Sequence, residues 1–120
     1  VSISDQFLFN SGSAEVKPEG RRVLFKIASL VRDKVPAVAV EGHTDATPLL
    51  GGIYRDNWGL SAMRAAVVAS YLEQDGGFDP LKLQAVAFGP NQPMVPNDTP
   101  EHRALNRRVE IVFLSEYPKR

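Results

Sequence analysis

The sequence contains no cysteine. That absence removes a thiol nucleophile, a cysteine zinc site and a disulfide framework, and leaves the compartment open, since proteins of reducing and oxidising compartments alike can do without the residue. No apolar run approaches the roughly 20 residues of a membrane span, and no signal-peptide pattern opens the chain. Net charge is also missing. Fourteen basic residues balance fourteen acidic ones, so there is no overall field to attract nucleic acid or anionic lipid. Histidine is scarce: His43 and His102 are the two present, no His/Cys/Glu cluster shows ligand spacing along the chain, and neither a metal nor a cofactor is expected. There is no Gly-x-Ser-x-Gly elbow. An initiator Met is lacking, the chain opening on Val1; the expectation is one domain, residues 1–120, taken from a longer membrane-anchored protein.

What is present suits a self-sufficient core: 120 residues, 43% of them hydrophobic, are enough for one domain without staples. Ile3, Phe7 and Phe9 share one parity, with Asp5 as the exception, which predicts a strand over 1–10. Pro18 and Glu19 suit a first helical turn, and Leu24, Ile27, Ala28 and Val31 form an apolar stripe that Pro36 ends. The run Ala37-Val38-Ala39-Val40 predicts a strand to about Gly42, buried on both faces. A second helix is expected from Trp58 to Gln74, with Asn57 as its N-cap and Gly76-Gly77 as its stop. A third strand is expected at 83–88. Thr99-Pro100-Glu101 reads as cap, first position and first-turn acid of a short helix over 100–105. Val109, Ile111 and Phe113 alternate in a last strand over 107–114, and the tail from Glu116 is expected to fray. The order β-α-β-α-β-(turn)-β predicts an α/β (α+β) fold with two helices on one face of a small mixed sheet.

The stretch Glu41 to Arg64 joins a strand end, a Gly/Pro-containing loop and a helix start, an arrangement suited to ligands because a helix N-terminus presents free N–H groups. At about 100° per residue, with Leu60 at zero, Met63, Val67, Val68 and Tyr71 span an apolar arc on the second helix, and Arg64 falls inside it. A charge at that azimuth needs a partner or an exit to solvent. Asp45 or Asp56 would supply a structural partner. Alternatively, Asp45 and Arg64 flank the loop as a carboxylate and a guanidinium matched to a zwitterion. Asp45 also suits an Asp-x-Thr turn within its own loop. His43 is expected to be structural. Trp58 reads equally as a packing residue and as a platform for a ring.

Three separated blocks carry a family resemblance: Glu41-Gly42-His43-Thr44-Asp45; Asn57-x-x-Leu60-Ser61-x-x-Arg64-Ala65; and Pro96-Asn97-x-Thr99 with Arg103-x-x-Asn106-Arg107-Arg108-Val109-Glu110-Ile111. Together they resemble the OmpA-like peptidoglycan-binding domain, over about 9–114. Within that family, Phe9-x-Ser11-Gly12-Ser13-Ala14-Glu15, the Thr47-Pro48 opening and the insert before Asn57-Trp58 are most similar to the periplasmic domains of flagellar motor stator proteins. Gly59 departs from that subfamily, which has an acidic residue after the Trp. The resemblance implies a non-enzymatic wall anchor that holds the amino-acid end of diaminopimelate in the stem peptide with Asp45 and Arg64. Thr44, Asn57, Leu60 and Arg108 would line the groove. It further implies a periplasmic location, a homodimer and an ion-channel partner subunit reached through a membrane segment outside this chain. An OmpA-like outer-membrane or lipoprotein anchor outside the motor is the alternative, and a cell-wall hydrolase using His43 and Asp45 is a third reading. The role of the insert from Leu49 to Asp56 stays open.

Overall fold

A computed structural model describes residues 1–117. Residues 118–120, the end of the tail expected to fray, lie outside the described residues. The elements run β1 (Ser2–Ser4), α1 (Asp5–Leu8), α2 (Pro18–Val31), β2 (Ala37–His43), α3 (Asn57–Gln74), β3 (Leu83–Gly89), α4 (Pro100–Asn106) and β4 (Arg108–Leu114). The strands form one mixed sheet in the order β1-β4-β2-β3. β3 is parallel to β2, whereas β4 is antiparallel to both β2 and β1. The final strand therefore inserts between the first two.

Strand alternation sends Val38, Val40, Val109 and Ile111 to one face. There they join Leu24 and Ala28 of α2 and Ala65, Val68 and Leu72 of α3 in a single core. The other face of β2 and β4 carries Glu41, His43, Arg108 and Glu110. α2 and β2 follow their predicted patterns. Thr99 caps α4 as expected, its hydroxyl accepting from the His102 N–H at 3.0 Å.

The N-terminal segment departs from the expected strand. β1 stops at Ser4, whose hydroxyl accepts from the Phe7 N–H (3.4 Å) and caps the single turn α1. That turn changes the parity: Leu8 and Phe9 are buried, while Phe7 is 40% exposed. The N-cap of α3 is Asp56, which accepts from the Gly59 N–H at 3.0 Å. Asn57 is already helical and donates to the Thr47 carbonyl instead. The buried arc of α3 is also rotated from the predicted one. It contains Leu60, Ser61, Arg64, Ala65, Val68 and Leu72, and leaves Met63 exposed.

The start of α3 is pressed onto the sheet. A Cβ on Gly42 would lie 2.2 Å from the Ser61 carbonyl oxygen. The Ser61 hydroxyl accepts from the Gly89 N–H at 3.1 Å and donates to the Trp58 carbonyl. One helical turn is thus fixed to the ends of β2 and β3, and this seat sets the position of the loop that follows β2. Among the described residues no helix is long and apolar enough to cross a membrane.

Candidate functional site

The loop after β2 begins with two buried polar residues. The Thr44 N–H donates to the Gly89 carbonyl (2.9 Å) and its hydroxyl donates to the Asp45 carbonyl (2.9 Å). One Asp45 oxygen accepts from the Thr47 N–H at 2.9 Å, the turn expected of an Asp-x-Thr sequence. The other accepts from Arg107 Nη1 at 2.5 Å. The loop is braced from outside by Asn106, which is completely buried. Its Oδ1 accepts from the N–H groups of Met94 and Val95, and its Nδ2 donates to the Val95 carbonyl and to Asn97 Oδ1. Asn97 Oδ1 in turn accepts from the Ala46 N–H at 3.4 Å.

Arg64 is buried, and its partner is neither of the two expected acids. Nη1 donates to Asp5 Oδ2 at 2.9 Å, Nε to the Ser13 carbonyl at 2.8 Å, and Nη2 to the Asn10 carbonyl at 3.3 Å. Its guanidinium carbon lies 4.6 Å from the centroid of the Phe9 ring. Asp5 also faces Arg107 Nε at 3.7 Å. The result is an alternating chain of charge, Arg64–Asp5–Arg107–Asp45. The expected pair Asp45 and Arg64 is joined through two intermediaries.

These groups line a cleft of about 350 Å³. α1 and the following loop supply Asp5, Phe9 and Gly12; the loop after β2 supplies Thr44, Asp45 and Leu49; α3 supplies Asn57, Leu60 and Arg64; Arg103 and Arg107 close it from α4. Five of the six residues expected at the site therefore converge. Arg108 does not. It opens β4 opposite His43, and its guanidinium is held by the Asn106 and Gln92 carbonyls and by Glu110. The basic residue at the cleft is its neighbour Arg107, the C-cap of α4. Asp5 and Arg103 were not anticipated there. The signal for Asp5 was its break in the alternation of residues 1–10. Trp58 is 54% exposed and lies against Gly89, outside the cleft lining.

His43 is turned toward two glutamates and a phenylalanine. Its Nε2 lies 3.1 Å from Glu41 Oε1 and 3.6 Å from Glu110 Oε2. Its ring stacks on Phe88 with centroids 5.0 Å apart, and its Nδ1 is buried without a hydrogen-bond partner. Burial, above all, pulls its pKa below 6.5; the Glu41 hydrogen bond opposes that and the charge of Arg108 adds to it. The pairing of His43 with Asp45 that a hydrolase would need is not assembled.

A mixed sheet with two helices on one face, and a cleft of alternating arginine and aspartate at the strand ends, define a compact binding domain. The chain belongs to the OmpA family, which matches residues 8–107. It is 32% identical to Motility protein B of Bacillus subtilis over 95% of this chain and 44% of that protein. Among solved structures it is similar to the periplasmic domain of Helicobacter pylori MotB (TM-score 0.83, 32% identity, 92% of this chain and 78% of the other). It is likewise similar to the cell wall anchor of the T6SS from Pseudomonas aeruginosa (TM-score 0.87, 39% identity, 96% and 80%). The chain spans about half the length of the curated relatives it matches.

Proposed function

We propose that this domain binds peptidoglycan non-covalently, taking the amino-acid end of diaminopimelate in the stem peptide into the cleft, and so anchors a flagellar motor stator to the wall from the periplasm. The observation that carries the reading is the alternating Arg64–Asp5–Arg107–Asp45 chain along the cleft. A zwitterionic ligand needs a carboxylate acceptor for its ammonium and a guanidinium fork for its carboxylate. Asp45 supplies the first; Arg64, Arg103 and Arg107 supply the second. Asp5 and Asp45 against three arginines leave one unbalanced positive charge, suited to a peptide with more carboxylates than free amines. Thr44, Asn57 and Leu60 complete the walls. In this reading the domain works as a homodimer, joined by a membrane segment outside this chain to an ion-channel partner.

Asp45→Asn and Arg64→Ala, each checked for a native circular-dichroism spectrum, are expected to lose co-sedimentation with purified cell wall by at least about tenfold, the loss of roughly 1.4 kcal/mol of binding. Full sedimentation of both folded variants sinks the proposal. The likeness to a T6SS wall anchor favours a second reading, wall anchoring outside the motor. Restoration of swimming when the domain replaces that of a stator protein separates the two.

A further inference from the structure

We propose that Glu41, His43 and Glu110 form a binding site for one divalent transition-metal ion, with Zn²⁺ as the probe. Sequence spacing hid this cluster because Glu110 lies far along the chain. The β2–β4 register sets Glu41 directly opposite Glu110, and His43 two residues further on the same face. One ligand atom from each residue lies within 4.8 Å of the others. His43 Nε2 is 3.1 Å from Glu41 Oε1 and 3.6 Å from Glu110 Oε2. Tetrahedral Zn²⁺ with bonds of about 2.0–2.2 Å holds its ligand atoms about 3.3–3.6 Å apart. The cluster therefore needs only small side-chain adjustments to close on an ion.

The surroundings suit an ion better than a plain ion pair. The imidazole is 2% exposed and the two carboxylates are 23% and 31% exposed, so the nitrogen ligand is fixed while water can reach the remaining positions. The three ligands stand on paired strands, which removes most of the ordering cost of binding. Arg108 donates to Glu110 Oε2 at 3.1 and 3.2 Å while tied to two backbone carbonyls. It acts as an outer partner that orients the carboxylate. Two carboxylates against one guanidinium leave the cluster net negative with the ring neutral. None of the three ligands lines the cleft, so this site is independent of the wall-binding reading.

The experiment is titration of the tag-free, chelator-treated protein with ZnCl₂, followed by calorimetry and thermal melting. One ion per chain and a Tm rise of several degrees are expected. Glu41→Gln, which keeps a hydrogen-bonding group beside His43, and Glu110→Gln should each weaken binding at least about tenfold. His102→Gln, at the exposed His102–Asp98 pair, should leave it unchanged. No saturable binding overturns the proposal, as does wild-type affinity in the folded Glu41→Gln and Glu110→Gln variants. Loss on His102→Gln alone would assign the ion to the surface pair and overturn it equally.

Discussion

Asp5 shows how a single side chain can link fold to site. It sits at a buried position in a segment of otherwise apolar alternation, and it accepts from Arg64 at 2.9 Å while facing Arg107. Removing one partner of a buried pair strands the other charge, at a cost of about 3–5 kcal/mol. Asp5→Ala and Arg64→Ala are each expected to lose stability on that scale in urea unfolding. The double variant should lose clearly less than the sum, because the second truncation removes the stranded charge. Strict additivity would show that the two residues act separately. The contrast between Arg107 and Arg108 is as local. Adjacent in sequence and identical in chemistry, they diverge because one ends a helix and the other starts a strand, and no property of the dipeptide tells which guanidinium reaches the cleft.

At the scale of elements, α3 is pressed closely onto β2. A methyl at Gly42 has no room against the Ser61 carbonyl, and the opposing atom is backbone, which cannot rotate aside. Gly42→Ala is expected to destabilise by about 1–3 kcal/mol or more, as overpacking does, and to weaken the proposed wall binding in protein that remains folded by shifting the loop that carries Asp45. An unchanged urea midpoint would contradict this. The long elements were legible because burial imposes a period on them. Leu24 and Ala28 follow the stripe of a helix, and Val109 and Ile111 the alternation of a strand. α1 was not, since four residues capped by Ser4 are too few to show a period. The cap of α3 was displaced by one residue because Asp56 and Asn57 are equally good caps and only the loop geometry chooses. The Glu41–His43–Glu110 cluster depends on β4 inserting between β1 and β2, a fact of topology that no local pattern carries. For the cleft, Asp45 and Arg64 were readable as a pair of opposite charges at the two ends of one loop. The intermediaries between them came from the first and last thirds of the chain.

The whole molecule feels His43 through pH. Burial keeps its folded-state pKa below 6.5, so between that value and 6.5 the unfolded chain binds more protons than the native one. Linkage then makes stability greatest above about pH 6.5, falling as pH drops through 6.5 and levelling below the folded pKa. Burial sets most of the effect, and Glu41, Glu110 and Arg108, which face the ring, modulate it. Urea midpoints of metal-free protein at pH 7.5 and 5.5 should differ more for wild type than for His43→Gln, with His102 common to both. Equal differences would show that His43 does not contribute.

The opening residues have a mechanical consequence. β1 is three residues long, and Val1 exchanges hydrogen bonds with Ile111. Tension applied to Val1 loads this short ladder first. The next residue along the path is Asp5, the brace of Arg64. A load that peels β1 from β4 therefore draws Asp5, and with it one wall of the cleft, out of place.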